Sequence, residues 1–297
     1  MNDDLRHAVL RYARLHADGS GIAATPIDGI TAICANRPTA LVYAVQRPLA
    51  CLVLQGSKHV TMGQQSFTFG AGSSLLMMAN VPTGSQILAA SEAEPYCSLV
   101  VDLDVSMIAD LSTEMSALQE SAPFPVQIDQ TDAEVADSAL RLVRLLERPA
   151  ALPLLKNALL REFHYWLLAG RHGAAIRRIG APNGHAQKVA RAIAMLRAHY
   201  ASRLPIVRLA EAAGMSPHTF HQSFRSVTSM TPLQFQKQLR LIEARRLMLA
   251  EGASSSVAAF AVGYESVPQF TREYGRMFGL PPSRDVAAAR DRMRLVA

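Results

Sequence analysis

The chain has 297 residues, 49% of them hydrophobic, with 30 Lys and Arg against 24 Asp and Glu for a net charge of +6. That length suggests about two domains of roughly 150 residues each, and no apolar run approaches the ~18 residues a membrane helix needs. Met1 to Asp4 lack the basic and apolar regions of a secretory signal, and three cysteines (Cys34, Cys51, Cys97) without CxxC spacing fit free thiols in a reducing compartment, so a cytoplasmic protein is expected.

Residues 3–16 read as a helix with Leu5, Val9, Tyr12 and Leu15 on one side. From about residue 25 to 102 the texture changes to short apolar runs broken by turn residues. The runs are 50–54, 58–62, 66–69, 74–79, 81–82, 86–89 and 97–101, with breaks such as Gln55, Gly56, Ser57 and Gly70, Ala71, Gly72. Six or more short strands at roughly ten-residue spacing predict a β-sandwich or barrel.

The helical period then returns. Residues 132–147 place Val135, Ala139, Leu142 and Leu146 on one face, and residues 154–169 place Leu155, Leu159, Phe163 and Trp166 on another. Two such helices after a barrel are either a cap on it or a protomer interface, with the interface favoured. Gly173, Gly180, Pro182 and Gly184 mark a linker over 172–184.

Catalytic and metal chemistry find little footing in this half. A catalytic zinc or iron site needs three or more protein ligands, whereas His59 is the only histidine between His16 and His164 and no carboxylate follows it until Glu92. His59 reads as a hairpin or surface residue. No Gly-x-Ser-x-Gly elbow, phosphate-cradling glycine loop or His-Glu-x-x-His occurs, so no enzyme, metal or cofactor is expected. Cys51 and Cys97 fall on predicted strands without basic neighbours in sequence and read as small buried hydrophobes.

The last third contains one unit written twice, at 206–232 and 256–282. Gly214 is followed by Ser216, Pro217, Phe220, Phe224 and Pro232, and Gly263 by Ser266, Pro268, Phe270, Tyr274 and Pro282. From the serines onward the landmarks recur at an offset of 50, with Glu265 the single slip. In each copy an apolar helix stops at a glycine, which adopts a left-handed conformation cheaply. A serine then caps the next helix, and an i,i+4 aromatic pair fixes its buried face. Ala210 and Ala259, four residues before their glycines, let two helices cross closely. This is the pattern of a tandem helix-turn-helix reading two stretches of major groove. His218, His221, Gln222 and Arg225 in the first copy, and Gln269, Thr271, Arg272 and Arg276 in the second, point away from the aromatics as groove or backbone contacts.

Charge agrees. Residues 183–297 hold 16 Lys and Arg against 7 Asp and Glu, a net of +9, while 1–182 hold 14 against 17, a net of −3. A basic module on a slightly acidic one suits phosphate binding by one part only. Aromatics at core spacing, not interleaved with basic residues, favour duplex DNA over single strands.

The stretch 263–282, opening Gly263, Tyr264, Glu265, Ser266 and closing Gly279, Leu280, Pro281, Pro282, resembles the signature of the AraC/XylS transcriptional regulators, and the resemblance covers roughly 185–290. It implies two helix-turn-helix subdomains joined by a long helix, here 232–250 with Phe235, Leu239, Ile242 and Leu249 as its apolar stripe. It implies base-reading positions at His218, His221 and Gln222, then at Gln269, Thr271 and Arg272, and RNA polymerase as a partner. Two departures stand out: Gly275 takes the place equivalent to Arg225, removing a backbone contact, and Val267 and Pro268 replace small polar residues, leaving the second unit the less selective reader.

Residues 51–58, Gly63, 67–72, Ala90, Ser91, Pro95 and Tyr96 resemble the cupin-like sensor domain of one branch of that family, over roughly 20–165. This implies a small-molecule pocket in the barrel without identifying the ligand. The expectation is an α+β protein. A cupin-like effector-binding and dimerisation domain spans 1–171 (barrel about 20–102, helical pair about 132–169), a linker 172–184, and an all-α tandem helix-turn-helix domain 185–297. It is expected to bind duplex DNA as a regulator, responsive to a small molecule and able to form a homodimer. The rival readings are a constitutive regulator without ligand and a cupin enzyme fused to a DNA-binding domain.

Overall fold

The computed structural model describes residues 3–115, 126–181 and 184–294; Met1 and Pro182 lie outside them. The chain is α+β, with antiparallel sheets in the N-terminal half and helices in the C-terminal half.

Helix α1 (Asp3–His16) buries Leu5, Val9 and Tyr12. Leu15, expected on the same face, is 76% exposed, because it lies past the end of the covered surface. Among the described residues ten strands follow: β1 (Ile22–Ala24), β2 (Ile30–Ala35), β3 (Val42–Gln46), β4 (Leu49–Gln55), β5 (Ser57–Met62), β6 (Gln65–Gly70), β7 (Ser73–Met77), β8 (Val81–Ala89), β9 (Tyr96–Asp102) and, after α2 (Val105–Glu114), β10 (Val126–Gln130). They form a six-stranded sheet ordered β1-β2-β9-β4-β7-β10 and a four-stranded sheet ordered β3-β8-β5-β6. The runs expected at 81–82 and 86–89 are one continuous strand.

Side-chain alternation divides each strand of the larger sheet between two cores. Ile30, Ala32, Cys97, Leu99 and Val101 face α1, while Thr31, Ile33, Val100 and Asp102 line a lumen between the sheets. Helices α3 (Ala133–Leu145) and α4 (Leu152–Ala169) form an antiparallel pair, and α3 packs on α1. The pair therefore covers the outer side of the sheet. On α4 the buried residues are Phe163, His164, Leu167 and Leu168. Leu155, expected inside, is 48% exposed.

The expected linker is mostly a helix, α5 (Gly173–Gly180). Its glycines serve close packing: a Cβ on Gly180 would lie 2.7 Å from the Ala109 amide nitrogen of α2, and one on Gly173 would collide with the Leu168 carbonyl.

His164 pins α4 to the start of α2. Its Nε2 accepts from the Asp104 amide at 3.0 Å and its Nδ1 lies 2.7 Å from the Leu160 carbonyl oxygen. Only the neutral ring with its proton on Nδ1 satisfies both. Burial pushes its pKa below the ordinary 6.5, against a weaker pull upward from the Leu160 carbonyl and the Asp104 carboxylate. Below about pH 6.5 the unfolded chain therefore takes up a proton that the folded chain resists, and stability falls with pH until the folded-state pKa is passed. Urea midpoints should drop between about pH 7.5 and about pH 5 in the native chain and drop less in His164→Gln. Parallel drops would assign the acid loss to other groups.

Candidate nucleic-acid interface

After α6 (His185–Ala198), the first unit comprises α7 (Ile206–Ala213) and α8 (Pro217–Thr228). Gly214 closes α7 in the left-handed region at φ 63°. Ser216 caps α8 by accepting from the Thr219 amide, with Pro217 in the first turn where no donor is lost. Phe220 and Phe224 are fully buried, their ring centroids 5.5 Å apart. His218, His221, Gln222 and Arg225 are all exposed along α8.

The second unit comprises α10 (Ser255–Ala261) and α11 (Val267–Phe278), followed by α12 (Pro282–Arg294). Ser266 caps α11 by accepting from the Gln269 amide, and Phe270 and Tyr274 are fully buried at 5.4 Å. Arg272 and Arg276 are exposed one turn apart, while Gln269 and Thr271 are half-buried. Gln269 Nε2 donates to Glu273 Oε1 at 3.2 Å. Glu273 also receives Lys237 Nζ at 2.8 Å and the Tyr264 hydroxyl at 2.8 Å. Burial opposes ionisation of that carboxyl, but these three donors hold its pKa below the ordinary value. Sequence reading missed Glu273, an acid on the recognition helix whose charge is met by a lysine of a different helix. At Gly275 an added Cβ would meet nothing within 4 Å, so the position is open to solvent.

The long helix α9 (Pro232–Ala250) opens with a capping box between Thr231 and Gln234. The expected single stripe is instead two faces. Phe235 and Leu239 enter the core of the first unit, while Leu241, Ala244 and Met248 enter that of the second. Ile242 and Leu249 are only half-buried.

Between these faces sits Arg240, which sequence reading also missed. Its guanidinium donates to the Tyr200 carbonyl at 2.7 Å, to Ala201 at 3.1 Å and to Ser202 at 3.2 Å in the turn before α7, and to the Gly263 carbonyl at 2.9 Å. Gln236 Nε2 supports the same turn through the Tyr200 and Ser202 carbonyls. Gly263 has φ 86°, and a Cβ there would collide with the Ala201 carbonyl, so the second unit's turn rests directly on backbone leading into the first. One side chain thus ties the turn leading into α7 to the turn leading into α11, joining the two units.

The lumen of the N-terminal half is a cavity of about 330 Å³, within the size range of small-molecule pockets. Leu49, Val60, Phe69, Leu75 and Met77 make it largely apolar, and Lys58 and Asp102 supply one charge of each sign. Burial raises the Asp102 pKa, and Arg47 partly offsets this. Cys51 faces this lumen and Cys97 does not. His59 is a half-buried strand residue whose Nδ1 lies 2.8 Å from Thr68 Oγ1.

The smaller sheet rests on the helical half near the C-terminal ends of both recognition helices. The Tyr43 hydroxyl donates to the Met277 carbonyl at 2.7 Å, and its ring meets Phe278 edge-on at 5.1 Å. Ser229 Oγ donates to Gln65 Oε1 at 3.0 Å. The exposed side chains of α8 and α11 are not consumed by these contacts.

The arrangement defines a class: a two-unit helix-turn-helix protein carrying a β-domain with an internal cavity. Residues 26–175 match the family described as AraC-type transcriptional regulator N-terminus, and residues 209–287 match the helix-turn-helix domain family. The chain belongs to the AraC family of transcriptional regulators. The virulence regulon transcriptional activator VirF of Yersinia enterocolitica is 24% identical over 244 residues, 78% of this chain and 86% of VirF. The uncharacterized HTH-type transcriptional regulator YobQ of Bacillus subtilis is 31% identical over 90 residues, 30% of this chain and only 37% of YobQ's length. Among solved structures, unsaturated fatty acid-bound ToxT of Vibrio cholerae superposes with a TM-score of 0.57 at 10% identity, covering 87% of this chain and 93% of ToxT. At that identity the likeness speaks for the fold alone. Among the described residues no helix is long and apolar enough to cross a membrane.

Proposed function

We propose that this regulator reads duplex DNA with His218, His221, Gln222 and Arg225 on α8 and with Gln269, Thr271, Arg272 and Arg276 on α11, under control of a small molecule in the β-domain. The observation that carries the reading is the pair of recognition helices, each with solvent-exposed polar residues, on two units that Arg240 ties together. A clamp of that kind suits two successive major grooves, about 34 Å apart. On this reading the sensor spans 1–171 and the reader 185–297, joined by 172–184, and the protein acts in the cytoplasm with RNA polymerase as a partner rather than as an enzyme.

Cavity size, its two charges and the fatty acid in the ToxT structure support a small effector. Thr83 and Ser85 line the cavity from β8, while Tyr43 on the paired strand β3, opposite Gly84, reaches α11. One layer of sheet thus separates effector from reader, and a ligand preferring one arrangement of that layer would shift the population of DNA-competent molecules. Leu154 and Tyr165, 80% and 40% exposed on α4, support a homodimer contact there.

DNA binding by the full chain and by a fragment from residue 184 onward tests this. Each protomer should protect two segments about ten base pairs apart, and log affinity should fall steeply with log salt. The fragment should bind the same segments more weakly, because pairing protomers raises effective concentration. A single short protected patch with flat salt dependence would remove the two-groove reading, and equal affinities would remove the dimer.

A further inference from the structure

Strands β2 and β9 set two cysteines face to face beneath α1. Cys34 and Cys97 are direct partners in the antiparallel register. Opposed pairs in such a ladder alternate between hydrogen-bonded and non-hydrogen-bonded kinds, and in the latter the Cα atoms approach to about 4.5 Å with the side chains closer together.

Two backbone hydrogen bonds establish which kind this is. The Asp102 amide donates to the Gly29 carbonyl at 2.8 Å, so the pair at that end of β9 is hydrogen-bonded. Counting back along the register to Cys97 is an odd number of steps, which makes Cys34 and Cys97 a non-hydrogen-bonded pair. Independently, the Cys34 amide donates to the Gly21 carbonyl at 2.8 Å on the other side of β2, turning its polar groups away from β9. A separation near 4.5 Å lies inside the ~4.4–6.8 Å span of disulfide Cα pairs. Both side chains lie on the face of the sheet that packs against α1, whereas Cys51 faces the lumen.

We propose that Cys34 and Cys97 are an oxidative modification site, closing to a reversible disulfide with a peroxide as the oxidant. Cys34 is the half-buried member and Cys97 the buried one. The Cys34 sulfur attacks the peroxide, the O–O bond breaks, and Cys34 sulfenic acid and one water form. The Cys97 sulfur then attacks the Cys34 sulfur, the S–S bond forms, the S–O bond breaks, and a second water leaves with the Cys97 proton. Two thiols lose two electrons and one hydrogen peroxide becomes two waters.

The surroundings set the pace. Burial raises both thiol pKa values, while Arg14 opposes this at Cys34 and Arg6 at Cys97. Attack therefore begins at Cys34, the more accessible sulfur, and is slow until the thiolate forms. The bridge would staple β2 to β9, whose other faces carry Thr31, Ile33, Val100 and Asp102 of the cavity wall. The site stands apart from the effector reading and survives its failure.

Chymotrypsin separates the three cysteines, since Tyr43 lies between Cys34 and Cys51 and Phe67 between Cys51 and Cys97. Reduced full-length protein, treated with hydrogen peroxide, alkylated under denaturing conditions and digested without reductant, should yield a linked Cys34–Cys97 peptide pair as the main product. Cys51 should be alkylated, and dithiothreitol should restore alkylation at all three. The same treatment in urea should scatter the pairings, and Cys51→Ser should leave the native link unchanged. The proposal is overturned if native protein shows the same scatter, if Cys51 enters the main bridge, if all three thiols stay alkylatable, or if Cys34 ends as sulfinic or sulfonic acid without a link.

Discussion

Replacing Asp285 by alanine should cost about 3–5 kcal/mol of stability, the range for breaking a buried ion pair from one side. Asp285 is 5% exposed and receives Arg245 through Nε at 2.7 Å and a terminal nitrogen at 3.3 Å. The buried Tyr274 hydroxyl donates to the same carboxylate at 2.7 Å. Arg245 also lies 5.4 Å from the Phe278 ring centroid. These contacts join α9, α11 and α12, so the carboxylate organises the side of the second unit opposite its exposed arginines. Alanine would leave a guanidinium and a hydroxyl without their shared acceptor in a site where burial works against the arginine charge. Pairing Asp285→Leu with Arg245→Met should recover much of the loss, because apolar replacement of both partners removes the stranded charge. Urea unfolding of the single and double variants measures this. A single variant within about 0.5 kcal/mol of the native chain would place the pair among solvent-screened contacts.

The parts of this fold that could be read in sequence are those with local causes. Gly214, Ser216 and the Phe220–Phe224 pair act within a few residues of one another, and their recurrence at Gly263, Ser266, Phe270 and Tyr274 exposed the tandem unit. What could not be read depends on partners far along the chain. Gly173 and Gly180 looked like flexibility and instead admit the backbone of neighbouring segments. Helix α9 defeats a single-stripe reading because it buries Phe235 in one core and Met248 in another. Thr83 and Gly84 looked like a break, yet the strand runs through them because Gly84 makes room for Tyr43 and Thr61. Arg240 was one arginine of many until the fold brought the Tyr200 and Gly263 carbonyls to it. The exposed residues of α8 were legible as a face, whereas the tie between Gln269 and Glu273 arises from a network that includes Lys237 and Tyr264.

That network sharpens the contrast between reading DNA and holding the reader together. Phe270→Ala should cost about 3–5 kcal/mol, as a core truncation, since its ring is fully buried between Tyr264 at 5.3 Å and Tyr274 at 5.4 Å. DNA binding should be lost with it, because α11 loses the side chain that seats it. Arg272→Ala should behave oppositely. Its side chain is exposed and two residues from each buried aromatic, so the melting temperature should barely move. If it reaches a guanine edge, the loss should be about 1–3 kcal/mol of discrimination at one base pair, roughly ten- to a hundredfold in affinity for the matched site and much less for a site altered there. Arg276→Ala, one turn further, should weaken matched and altered sites alike if its contact is to phosphate. Calorimetric melting and binding to the two DNA duplexes separate these cases. Should Arg272→Ala unfold the unit, the facing of α11 is wrong; should it bind both duplexes as the native chain does, the second unit docks there without reading the base.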